Sequence, residues 1–185
     1  MSELPFDLIR SRRKTFSVQI RDGRVIVRAP MSTTKEQAAA FVNRHRQWVL
    51  KHLEKERRIL EDSRGIPPLT EQELQALSES ARRVIPGRVR HYAPLVGVTY
   101  GKITIRAQRS RWGSCSAAGN LNFNCLLMLM PLSVLDSIVV HELCHRKHMN
   151  HSQSFYREVL RVYPNYHECQ KWLKTNGRAL LRRLP

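Results

Sequence analysis

The first ordered pattern along the chain is an alternation. Phe16, Val18 and Ile20 alternate with polar residues, Asp22-Gly23 supplies a turn, Val25 and Val27 resume the alternation, and Pro30 ends it. This predicts a β-hairpin. From about Thr34 the spacing becomes helical, opened by a capping-box pair, Thr34 and Gln37. Ala38, Phe41, Val42, Trp48, Val49 and Leu53 line one helix, with a charged tail through Arg57 and Glu61. Gly65-Ile66-Pro67-Pro68 breaks the pattern.

Thr70 and Glu73 open a second capped helix carrying Leu74, Leu77, Ala81, Val84 and Ile85, which Pro86-Gly87 is expected to interrupt or end before helix resumes toward Pro94. Short strands are expected at Val98–Tyr100, Ile103–Arg106 and Leu121–Leu129, with a turn over residues 117–120. From Pro131 the apolar positions Leu132, Leu135, Ile138, Val139 and Leu143 recur at three- and four-residue steps, an amphipathic helix. Two more helices, about 152–162 and 166–182, close the chain. The expected fold class is α+β, a small mixed sheet packed on helices. Residues 1–64 are expected to form an N-terminal hairpin and helix packed on a core of residues 70–185.

Composition narrows the class. An apolar share of 42% over 185 residues is that of a globular chain with a real core. No apolar run approaches the ~20 residues of a membrane span, so no membrane insertion is expected. Met1 to Arg10 lacks a basic segment followed by an apolar stretch, so the expectation is a soluble, cytoplasmic protein without a secretory signal. The net charge of +17 draws polyanions, which leaves nucleic acid or a nucleotide open as a partner through the basic surface. Cys115, Cys125, Cys144 and Cys169 form no C-x-x-C pair, which excludes a zinc ribbon, and reduced thiols are expected. Nothing in the sequence fixes the oligomeric state.

The informative segment is His141-Glu142-Leu143-Cys144-His145, an H-E-x-x-H sequence inside a predicted helix. Residues i and i+4 share a helix face, so two imidazoles aim at one point. Glu142 sits about 100° round from His141, where its carboxylate reaches a water without occupying a coordination position. Cys144 points nearly opposite Glu142, into the core. For a third ligand His151 is favoured: Asn150 is expected to turn left-handed and end the helix, and Ser152 to cap the next. His148, Glu158 and Glu168 are the alternatives. Three protein ligands and one open position are the pattern of catalytic zinc, one ion per chain.

Several stretches carry a resemblance. Arg111-Trp112-Gly113-Ser114-Cys115-Ser116, Leu121-Asn122-Phe123-Asn124, Val140-His141-Glu142-Leu143-Cys144-His145, and Asn150-His151-Ser152 with Phe155 resemble the YgjP-like metallopeptidase family, a relative of the SprT-like and WLM zincin groups. The resemblance spans nearly the whole chain. It implies a minimal zincin-like fold with the H-E-x-x-H helix beneath an edge strand, zinc held by His141, His145 and His151, and Glu142 as catalytic base.

The expected activity is therefore zinc-dependent cleavage of peptide bonds in a peptide or protein substrate, with Glu142 taking a proton from the attacking water. Some relatives are described as nucleotide pyrophosphohydrolases, so hydrolysis of nucleoside triphosphates is one alternative. A DNA-associated protease or binding module is another, although the absence of C-x-x-C weakens that transfer. Tyr163, Tyr166, His167 and Arg111 are candidates for a second electrophile. The Arg109-to-Ser114 stretch reads either as a strand edge that pairs with substrate, with Arg109, Arg111, Trp112 and Ser114 lining the cleft, or as strand and turn with Trp112 in the core.

Overall fold

The computed structural model describes residues 4–62 and 65–185; residues 1–3 of the opening segment and 63–64 of the expected N-terminal domain lie outside them. The chain forms two compact units, dividing between Gly65 and Ile66.

The first unit holds β1 (Asp7–Ser11), β2 (Ser17–Arg21), β3 (Arg24–Pro30), α1 (Lys35–Arg44) and α2 (Arg46–Asp62). Asp22 and Gly23 both have positive φ, 51° and 75°, the backbone that a two-residue hairpin turn requires. This turn sets the β2–β3 register, with Arg21 opposite Arg24 and Ser17 opposite Arg28. β3 is central, because β1 pairs with its other edge in parallel. Val25, Val27 and Ala29 alternate into the core, where Val25 and Val27 meet Ala38, Val42 and Val49 of the helices. The single helix expected from Thr34 is two. His45 leaves helical geometry (φ −103°, ψ 17°), and its Nδ1 donates to the Phe41 carbonyl at 2.9 Å, diverting the chain.

The second unit holds α3 (Glu71–Val96), β4 (Ile103–Arg106), β5 (Gly113–Cys115), β6 (Leu121–Asn124), a 3₁₀ turn (Cys125–Leu129), α4 (Leu132–Cys144), α5 (Gln153–Val162) and α6 (Tyr166–Arg182). Pro86 does not interrupt α3. Ala81, Ile85, Val89, Tyr92, Ala93 and Val96 continue one buried stripe past it, and that burial outweighs the roughly 3 kcal/mol cost of an internal proline. Gly97 ends the helix in a left-handed conformation (φ 75°). The Val98 amide then donates back to the Ala93 carbonyl, so Val98–Tyr100 completes a helix cap and is not the strand expected there.

The run expected as one strand from Leu121 to Leu129 stops at Asn124. The Asn124 side chain accepts the Leu126 amide at 3.1 Å and starts the 3₁₀ turn, which buries Cys125, Leu126 and Leu127. The sheet order is β4-β6-β5, with β4 parallel and β5 antiparallel to β6. Among the described residues, one edge of β5 is therefore left without a strand partner in this sheet. α4 packs against α3, α5, α6 and β5, and Arg88 and Tyr92 of α3 clasp the buried Asp136 of α4. The fold class is α+β, with small mixed sheets and an H-E-x-x-H helix.

Candidate metal centre

α4 ends at Cys144, and His145 caps it. The amides of Arg146, Lys147 and His148 bond back to Leu143 and Cys144, so the chain unwinds tightly beneath the helix. Asn150 does not take the left-handed backbone expected of it; these amide bonds turn the chain without one. Ser152 then caps α5 through its side chain, which accepts the Phe155 amide at 3.4 Å. This path carries His151 back to the two helix histidines. One ring nitrogen from each of His141, His145 and His151 falls within 4.8 Å of the others.

The remaining nitrogens of the two helix histidines are committed elsewhere. His141 Nδ1 lies 2.7 Å from the Tyr166 hydroxyl, and His145 Nδ1 donates to the His148 carbonyl at 3.0 Å. With both Nδ1 atoms engaged, the Nε2 atoms are left to face a metal, and His141 Nε2 stands 3.1 Å from His151 Nε2. Fully buried Phe155 floors the cluster, its ring 4.7–5.0 Å from all three imidazoles. Burial, helped by the charges of His145 and His151, pushes His141 down to about 3, so its ring is neutral at physiological pH, the form that binds metal. Three converging imidazoles, two of them oriented by second hydrogen bonds, suit a divalent ion of zinc's preferences.

The other ligand candidates are placed differently. His148 offers its carbonyl to His145. Glu158 is bridged to Lys147 at 2.7 Å and Arg161 at 2.8 Å, and Glu168 is exposed; among the described residues neither belongs to the cluster. Of the electrophile candidates, Tyr166 is buried and bonded to His141, Tyr163 donates to the Ser133 carbonyl, and His167 is exposed. Cys144 is fully buried in the core, which pushes its thiol up to about 12.

Glu142 is almost wholly buried, 5% exposed, and its carboxyl lies against Gly113 of β5. Burial pushes this carboxyl up to about 8, against a downward pull from Arg111. A Cβ on Gly113 would come within 2.6 Å of Glu142 Oε1 and 2.7 Å of its Cγ. The glycine is what lets the helix carboxylate and the edge strand touch. Gly113→Ala is therefore expected to displace Glu142 and lower hydrolysis more than tenfold while metal content stays unchanged. Kinetics and metal analysis on the same preparation check this.

Two supports escaped the sequence reading. Fully buried Asn124 donates from Nδ2 to the carbonyls of Gln108 (2.7 Å) and Arg111 (3.0 Å), and its amide donates to Trp112 O (2.8 Å). It pins the loop entering β5, where Ser114 Oγ is 3.3 Å from Asn122 Nδ2. Trp112 is half-buried against the core, and a Cβ on Gly177 of α6 would lie 3.3 Å from its ring. Arg109 and Arg111 are exposed. Glu158 is the other support, fastening Lys147 of the connecting loop to α5 while Arg161 also reaches the Leu95 carbonyl.

Arg161 first, then Lys147, pull the Glu158 carboxyl down to about 2 from its usual 4.5. A carboxyl depressed on folding stabilises the native state above its unfolded value and loses that contribution as pH falls through the folded one. The melting-temperature gap between wild type and Glu158→Gln is thus expected to be widest near neutrality and to close between about pH 4.5 and 2. A gap independent of pH would contradict this.

Residues 14–73 and 67–176 match the family described as YgjP-like, metallopeptidase domain. The chain belongs to the YgjP-like metallopeptidase family. Among solved structures, it is similar to the metallopeptidase zymogen of Pyrococcus abyssi abylysin, at 24% identity and a TM-score of 0.47, over 51% of this chain and 97% of that one. No curated protein matches it. No helix among the described residues is long and apolar enough to cross a membrane.

Proposed function

We propose that this YgjP-like chain is a zinc-dependent peptidase in which His141, His145 and His151 hold one ion and Glu142 is the catalytic base. The observation that carries the reading is the convergence of three imidazole nitrogens within 4.8 Å, next in sequence to a buried carboxylate that touches an edge strand. Zinc bound there would acidify a water and polarise a peptide carbonyl. Tyr166 and the His148 carbonyl fix the two helix imidazoles so that their Nε2 atoms face the same point. In its ionised form, which a divalent charge on the adjacent histidines would favour against the pull of burial, Glu142 takes a proton from the attacking water and delivers it to the leaving nitrogen. The free edge of β5 offers backbone groups to an extended peptide, with Ser114 in the strand and Gly113 bringing that strand to Glu142.

A peptide substrate has both the family and the edge strand in its favour, whereas a nucleotide or nucleic acid has only the net charge of +17. The test is hydrolysis of a quenched fluorescent peptide by protein of measured metal content. One zinc per chain, loss of cleavage on chelation and recovery on adding zinc are expected. Cleavage that ignores the chelator, or a loaded protein that hydrolyses nucleoside triphosphates and no peptide, would overturn the reading.

A further inference from the structure

Arg109 and Arg111 lie on the loop that leads into β5. Neither Arg109 nor Arg111 has a hydrogen bond or ion pair from its side chain among the described residues. Both are exposed. The backbone, by contrast, is held at Arg111 and at Gln108, next to Arg109. Asn124 grips the carbonyls of Gln108 and Arg111 from the core, and Trp112 is anchored beside Gly177. The loop thus presents two unspent guanidinium groups from a backbone that is already ordered, so a ligand has only the side chains left to order.

Their position relative to the chemistry is set by the chain itself. Arg111 is two residues and Arg109 four residues before Gly113, which touches Glu142. At about 3.3 Å per residue, the two Cα atoms lie within roughly 7 and 13 Å of Gly113, a reach of about two to four residues along an extended peptide. A guanidinium fork matches a carboxylate with two parallel hydrogen bonds, a geometry a lysine cannot supply.

We propose that Arg109 and Arg111 form a carboxylate subsite, making peptides with Asp or Glu within about four residues of the cleaved bond the preferred substrates. This rests on the peptidase reading and names its substrate class. A chain terminus carries the same chemical group, so the comparison must separate terminus from side chain.

The experiment uses the full zinc-loaded chain and peptides amidated at the C-terminus, matched pairwise with Asp or Glu in one member and Asn or Gln in the other. Wild type is expected to favour the acidic member by about tenfold in kcat/KM, mainly through KM. In the double variant Arg109→Gln/Arg111→Gln the ratio is expected to fall below about twofold. Because the ratio is internal to each preparation, partial loss of folded protein cancels. Equal cleavage of both members by wild type, a preference that survives in the double variant, or a preference confined to peptides with a free terminus would overturn the subsite while leaving the peptidase reading intact. Failure to cleave any peptide would overturn both.

Discussion

Glu142→Gln is expected to lower peptide hydrolysis by about two to four orders of magnitude while the chain stays folded and its metal content is unchanged. The amide has nearly the volume and shape of the carboxylate, so the close contact with Gly113 persists and no cavity opens in a side chain that is 5% exposed. The amide cannot accept the proton that the attacking water must shed. The histidines are untouched: their second hydrogen bonds go to Tyr166 and to the His148 carbonyl, neither involving Glu142. The variant therefore separates proton transfer from metal holding, a distinction that a histidine substitution blurs. Turnover on a fluorescent peptide, read beside metal content and thermal melting, decides it. Turnover equal to wild type would remove Glu142 from the chemistry.

What could be read from the sequence is what depends on neighbours a few residues apart. The capping pairs Thr34–Gln37 and Thr70–Glu73, the Asp22-Gly23 turn and the limits of the last two helices are local signals, and the structure shows each. The i, i+4 spacing likewise placed His141 and His145 on one face of a real helix. Long-range effects were hidden. Pro86 reads as a breaker until the buried stripe of α3 is seen to continue to Val96. β1 is mostly exposed and is specified by backbone pairing to β3 across the hairpin, so it has little alternation to detect. Leu121–Leu129 reads as one run, apolar but for Asn122 and Asn124, and only the side-chain bond of Asn124 tells strand from 3₁₀ turn. The need for glycine at 113 comes from a carboxyl 29 positions away, and the Tyr166 hydroxyl meets a histidine 25 positions away. Motif spacing places the chemistry; the contacts that orient it come from elsewhere in the chain.

His151→Ala is expected to weaken zinc binding by at least about a hundredfold and to abolish hydrolysis with it, because it removes one of three donors rather than an orienting group. The fold should survive. His151 is exposed, and α5 keeps its Ser152 cap and its buried Phe155 and Val159. His148→Ala is the decisive companion. It lies between His145 and His151, and its contribution is a backbone carbonyl, which alanine also supplies to His145 Nδ1. That variant should keep both metal and activity near wild type. Competition against a chromophoric chelator measures the two affinities directly. Full occupancy in His151→Ala together with loss in His148→Ala would mean that the connecting loop delivers its other imidazole, and the site would have to be rebuilt around His148.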